Sequence, residues 1–180
     1  MIKKWEQIKK EEVFKTPWFG ISKHTVKLPD GKIYDNYYLK EIPEIVYVFA
    51  MTEDNTVLLL KEYKYGADAI ITTIPAGIVN DDEDIEKAAL RELEEETGYI
   101  PENIEYIDTF MVDPTGSKCN AHIYFASGSR KISEQKLDET EQIEVFDVSV
   151  DTLKDILKRG GIKNISALAI IHHIIMLKGL

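Results

Sequence analysis

The segment from Gly77 to Tyr99, GIVNDDEDIEKAALRELEEETGY, constrains this chain more than any other stretch. Residues 84–97 read as a helix. Asp81 or Asp82 can accept from the free N–H groups at its start, and an acidic first turn suits the positive end of the helix dipole. Ile85, Ala89 and Leu93 recur at i, i+4 and i+8, an apolar stripe that needs a core to face. Gly98 stands where a left-handed residue ends a helix. On this helix Glu92, Glu95 and Glu96 are i, i+3 and i+4 neighbours, so their carboxylates share a face. Like charges so spaced repel by roughly 0.2–0.5 kcal/mol per pair. Hard oxygen ligands in such a group invite Mg²⁺ or Mn²⁺. A cation so held can bridge phosphate oxygens, orient a water and neutralise charge on a leaving phosphate. Arg91, four residues before Glu95, is placed to brace that carboxylate.

An acidic run alone would suit a solvated helix face equally well. The register around it is what sharpens the reading. Gly77 is followed by five residues and Glu83, then by seven residues and Arg91-Glu92, then by Glu95-Glu96 and Gly98. All seven match the fixed Gly, Glu and Arg positions of G-x5-E-x7-R-E-U-x-E-E-x-G-U, where U is a bulky apolar residue. Tyr99 at the last apolar position is a mild departure. The chain therefore resembles the Nudix family, and the resemblance implies a metal-dependent diphosphate hydrolase with an α/β/α sandwich fold. It implies Glu92 and Glu96 as metal ligands, Glu95 as a ligand directly or through water, and the Ala76 carbonyl as a further ligand. It places the catalytic base on a late loop, at Glu141 with Glu139 as the substitute. Glu95 and Arg91 complete the expected catalytic set.

Beyond the box, the layout is similar to the ADP-ribose pyrophosphatase branch. An N-terminal β unit carries Pro29-Asp30-Gly31. Lys61-Glu62-Tyr63-Lys64 is similar to the branch's basic Q-Y-R segment, and Ile74-Pro75-Ala76-Gly77 to its E-x-P-A-G entry. Pro114 follows Tyr99 by fifteen residues, where the branch has a proline. The resemblance implies substrate contacts at Trp18, Lys64, Pro114 and Gly116. Trp18 can stack on a base, and Lys64 can meet a phosphate as a point charge. Thr73 and Ile74 depart from the usual residues before P-A-G, Lys64 stands for Arg, and Asp113-Pro114-Thr115-Gly116 differs from S-P-G-G. These departures bear on which sugar or base is taken. ADP-ribose is the first expectation, with GDP-mannose or another nucleotide sugar as the alternative. A non-catalytic metabolite sensor is the further alternative. It would be expected to lose box carboxylates, all of which are present.

At 180 residues and 44% hydrophobic content, the chain can form one domain with a small appendage. The expected division is an N-terminal β unit over 1–42, which relatives of this branch exchange in homodimers, and a hydrolase domain over 43–180. A net charge of −10 argues against a nucleic-acid surface and for a small nucleotide partner recruited by cations and local Lys or Arg. Cys119 is the sole cysteine, which excludes an internal disulfide or a cysteine metal cluster. The opening MIKKWEQIKKEE has no apolar signal core, and no apolar run reaches about 18 residues. A cytoplasmic protein without membrane association is expected.

Strands are expected at 21–28, 33–39, 45–51, 56–62, 70–74, 104–112, 121–127 and 143–148. The nearly unbroken apolar runs IVYVFAM and TVLLLKE predict strands buried on both faces. Residues 128–141 are polar and read as a mobile loop. A short helix capped by Asp151 and a well-buried helix over about 166–178 close the chain. His122, His172 and His173 read as structural, since no spaced partner completes a metal set. The pattern is α+β: a mixed sheet with helices on its faces.

Overall fold

A computed structural model describes all residues, 1–180. The chain forms two compact units, one of residues 1–44 with 111–120, the other of residues 45–110 with 121–180.

The first unit is an antiparallel meander of β1 (Glu6–Lys15), β2 (Gly20–Lys27) and β3 (Ile33–Glu41), with β2 in the centre. The turn between β2 and β3 is closed by the Asp30 carboxylate, which accepts from the Lys32 N–H at 3.0 Å. Along β2 the alternate residues Gly20, Ser22, His24 and Val26 are buried. The two polar ones are satisfied: the Ser22 hydroxyl meets His24 Nε2 at 2.8 Å and donates to the Glu41 carboxylate, and His24 Nδ1 meets Gln7 Oε1 at 3.1 Å. Burial, with Lys118 and Lys10 nearby, lowers the His24 pKa. Segment 111–120 joins this unit through β3. Lys40 donates its N–H to Gly116 O at 2.7 Å, its ammonium meets Asp113 at 2.7 Å, and the Tyr37 hydroxyl donates to Thr115 O at 2.8 Å.

The second unit is built on a mixed sheet. Its strands are β4 (Ile45–Thr52), β5 (Val57–Lys64), β6 (Ala69–Thr73), β7 (Ala76–Ile78), β8 (Tyr99–Ile100), β9 (Asn103–Met111), β10 (Asn120–Lys131) and β11 (Ile143–Val148). The main order is β11-β5-β4-β10-β8, with β6 on β5, β7 on β4 and β9 on β10. β10 runs parallel to β4, while β5 and β7 pair antiparallel with β4. Helix α1 spans Ile85–Thr97, α2 Val150–Lys158 and α3 Ile165–Lys178.

The pleat of β4 divides the core. Tyr47, Phe49 and Met51 point to one layer with Leu59, Ile123, Leu153 of α2, and Ala167, Ile170, Ile171 and Ile174 of α3. Val46, Val48 and Ala50 point to the other with Leu58, Tyr124, and Ala88, Ala89 and Leu93 of α1. Residues 46–52 and Val57–Leu60 are buried throughout, as strands covered on both sides must be. Each large apolar side chain so enclosed contributes about 1.5–3 kcal/mol. The result is an α/β/α sandwich.

Three local expectations change. Ser149, not Asp151, caps α2, because its side chain is the one that reaches the Thr152 N–H. β10 runs on through Lys131, four residues into the stretch read as a loop. Helix α3 is buried on one face only. Ile165, Met176 and Leu177 are exposed, since α3 lies outside the sheet and has the core on a single side.

Candidate active site

The glutamate face is set by how α1 begins and ends. Asp84 is its N-cap, accepting from the Lys87 N–H at 3.1 Å. Asp81 and Asp82, the expected caps, lie in the preceding turn, where Asp82 adopts φ 62°. A side chain must sit directly before the first helical residue to reach the third N–H, and only Asp84 does. Gly98 ends the helix at φ 77°, donating its N–H to Glu94 O at 2.7 Å. These ends hold Ala88, Ala89 and Leu93 against the sheet and leave Arg91, Glu92 and Glu95 at its edge.

Arg91 organises the edge. Its Nε and Nη2 grip the two oxygens of Glu83, both at 2.8 Å, and Nη2 also donates to Ile78 O at 2.9 Å. Its Nη1 reaches Glu92 at 2.7 Å and Glu95 at 3.0 Å. The fork-to-fork bond holds the Glu83 carboxyl down at about 2. The Arg91 pKa rises, from the Glu83 bond first.

Glu92 and Glu96 lie deeper. Glu96 is buried and accepts from the Ala76 N–H at 2.9 Å. Burial pushes its carboxyl well above the ordinary range, and the charges of Glu92, Glu62 and Glu141 push the same way. Burial likewise raises Glu92. Gly77 makes the packing possible: a Cβ there would overlap the Glu92 carboxylate. As the side chains stand, no three acidic groups converge at metal-ligand spacing. The chemistry of the set still fits a hard divalent cation. A buried and a half-buried carboxylate, both with raised pKa values, gain from a positive charge, and the glycine cradle brings backbone beside Glu92.

A second wall is formed by β5 and the loop before β11. A cleft of about 530 Å³ is lined by Glu62, Tyr63, Leu137, Glu141 and Gln142. Glu141 is half-buried. Its carboxylate accepts from the Asp138 N–H at 3.0 Å, and its charge is felt at Glu92 and Glu96. Glu139 is exposed. Lys64 is not free: its ammonium meets Glu62 at 2.8 Å. Glu62 faces the site from within the 61–64 stretch that is similar to a basic segment. The signal for this is strand parity: Glu62 follows Leu58 and Leu60 on the β5 face that meets α1.

Trp18, Pro114 and Gly116 belong to the first unit. Trp18 is 72% exposed, in a turn where Thr16 Oγ1 accepts from the Phe19 N–H at 3.0 Å. Pro114 is exposed, and the Gly116 N–H donates to the Asp113 carboxylate at 3.0 Å. The histidines have structural partners. His122 Nδ1 meets Thr109 Oγ1 at 2.8 Å, His172 Nδ1 meets Leu168 O at 2.8 Å, and His173 packs edge-on to Phe110.

Comparison with known proteins agrees with this architecture. Residues 42–168 match the NUDIX domain, and residues 5–39 match the nucleoside diphosphate sugar hydrolase N-terminal domain. An ADP-ribose pyrophosphatase of Bacillus subtilis is 34% identical over 152 residues, covering 84% of this chain and 80% of the relative. A methanol dehydrogenase activator of Bacillus methanolicus is 32% identical over 156 residues, covering 86% and 84%. An ADP-sugar pyrophosphatase of Mus musculus is 42% identical over 67 residues, 37% of this chain and 31% of that one. A crystal structure of an ADP compounds hydrolase shares the fold, with a TM-score of 0.80, 20% identity and coverage of 99% and 98%.

Proposed function

Because the chain belongs to the Nudix family, we propose that it hydrolyses the pyrophosphate bond of a nucleoside diphosphate linked to another group, with ADP-ribose the first substrate. One observation carries the reading: the glutamate face of α1 is complete, and Arg91 and Gly77 hold it in place.

Glu92, Glu96 and the Ala76 carbonyl would hold the cation, Mg²⁺ or Mn²⁺, with Glu95 beside them. When bound, such an ion neutralises charge on the phosphates and orients a water. Arg91 keeps Glu92 and Glu95 aimed at that position. Glu141 takes the proton of the attacking water on a carboxylate oxygen. The water oxygen forms the new bond to phosphorus and the bridging P–O bond breaks. One water is consumed, and AMP and ribose 5-phosphate leave. Lys64 turns from Glu62 to a phosphate, and Trp18, Pro114 and Gly116 contact the rest of the substrate. A nucleotide sugar is the second reading, favoured by the match of residues 5–39 to a nucleoside diphosphate sugar hydrolase domain.

The unit of function is a homodimer formed through the N-terminal sheet. Supporting this, Trp5, Ile8, Val13 and Phe14 stand about half exposed on and beside β1. No helix is long and apolar enough to cross a membrane. The unpaired buried thiol of Cys119 fits a reducing, cytoplasmic setting.

The test is a Mg²⁺-dependent turnover panel of ADP-ribose, GDP-mannose, other nucleotide sugars and dinucleoside polyphosphates, with products resolved by chromatography. AMP with ribose 5-phosphate as dominant products is expected, and Glu96→Ala should abolish turnover while the circular dichroism spectrum stays unchanged. Tight binding of a nucleotide with metal present and no product would instead indicate a sensor.

A further inference from the structure

The loop over residues 132–142 is tied to the end of α1. A helix leaves its last carbonyls without partners, and here the loop supplies them. The Lys136 N–H donates to Glu95 O at 2.8 Å, and the Ile132 and Ser133 N–H groups donate to Gly98 O at 2.9 and 3.2 Å. Two side chains add to these links, the exposed Lys136 ammonium meeting Glu94 at 2.7 Å and the half-buried Gln135. Gln135 Nε2 donates to Glu96 O at 2.6 Å and to Ile143 O at 3.2 Å.

A primary amide has two N–H donors on one nitrogen. Gln135 gives both to carbonyls of different elements. One belongs to Glu96, the buried glutamate of the α1 face, and the other to Ile143, the first residue of β11. Ile143 pairs with Glu62 on β5. Glu141 stands two residues before Ile143, so the amide closes the stretch 135–143 in which that glutamate lies. A single half-buried side chain thus bonds at once to the glutamate helix and to the strand that receives the loop.

We propose that Gln135 is a positioning residue for the hydrolytic reaction: its bonds to the Glu96 and Ile143 carbonyls hold Glu141 at the glutamate face of α1. This rests on Glu141 being the base. Gln135 touches neither substrate nor cation; it acts through Glu141. Displacing a general base by a fraction of an ångström to an ångström slows proton transfer and leaves binding contacts in place. The signature is therefore a loss in kcat at nearly constant KM.

The experiment measures kcat and KM for ADP-ribose with Mg²⁺ in the full chain, using Gln135→Met, Glu141→Gln and the double variant. Gln135→Met keeps the length of the side chain and removes both donors. It should lower kcat about tenfold or more and change KM less than about twofold. In the Glu141→Gln background the same substitution should change kcat less than about twofold, because there is no base left to misplace. Lys136→Ala, which removes the exposed ion pair to Glu94 and keeps the backbone bond, serves as a control with unchanged kcat. Hydrogen exchange gives a readout apart from activity: Gln135→Met should lose protection at the Lys136 and Glu141 amides while α1 amides keep theirs. Were Gln135→Met to fail to fold, Gln135→Glu, which keeps the shape and has no donor when ionised, carries the same test.

Unchanged kcat in folded Gln135→Met, or a full loss repeated in the Glu141→Gln background, overturns the proposal while the hydrolase reading stands. Unchanged kcat in Glu141→Gln removes the base assignment, and the role of Gln135 with it. A wild-type protein that turns over no member of the substrate panel removes the hydrolase reading itself.

Discussion

At Gly77 the lack of a side chain decides where Glu92 can lie. Gly77→Ala would drive a methyl group into that carboxylate, and backbone and helix both resist moving away. We expect turnover to fall by about a hundredfold or more, with a melting temperature changed by only a few degrees; steady-state kinetics beside calorimetry will show whether the two separate. Glu83 sits at the other end of the Arg91 fork. Its folded pKa, about 2, lies below the ordinary value of 4.5, so its ionised form is the one the fold favours. Its contribution is fully present above about pH 4.5 and is lost as the pH falls toward 2. Glu83→Gln should cost about 1–2 kcal/mol at pH 7, allowing for partial exposure, and the difference from wild type should close in acid. Denaturation midpoints taken from pH 7 to pH 2.5 would reveal a gap that fails to close. Arg91, Glu92, Glu95 and Glu96 were legible in the sequence because a helix brings i, i+3 and i+4 together. Glu62 and Gln135 were not, because each meets the site through strand pairing or a loop crossing that no local spacing encodes.

Elements were legible where their ends carry their own chemistry. Gly98 and the apolar stripe located α1, and only the cap was misassigned, among three closely spaced aspartates at 81, 82 and 84. The distinction is testable. Asp84→Ala should destabilise the protein by about 1 kcal/mol, and Asp81→Ala by less than about half that, at unchanged urea m-value. Equal costs for the two would contradict the capping geometry. The strands of the sandwich centre were legible from their apolar runs. Helix α3 was over-read, because a helix whose apolar residues wrap all round does not reveal which side meets the core. Strand β1 carried little signal: all ten of its residues are exposed in the single chain, so no burial pattern marks it.

At the scale of the whole molecule, the grouping of chain segments depends on contacts that no local spacing encodes. Residues 111–120 belong with the N-terminal sheet, though they lie far from it in sequence, and a tether through Lys40, Tyr37 and Asp113 is a tertiary fact. The exposed apolar residues of β1 bear on assembly. Light scattering at micromolar concentration should give about twice the 20.6 kDa chain mass, and Val13→Glu with Phe14→Glu should return a monomer. A monomeric wild type would leave that apolar face without its proposed partner. Gly98 both ends α1 and leaves room for Ser133 O, which any Cβ would strike. The helix terminus and the loop entrance therefore share one position, and no residue but glycine serves both. Libraries that randomise this enzyme should return position 98 unchanged, while exposed positions such as 134 and 138–140 accept wide variation. The loop can then diversify at those exposed positions while Gly98, Gln135 and Glu141 stay fixed, so its surface can change without rebuilding the helix that carries the glutamates.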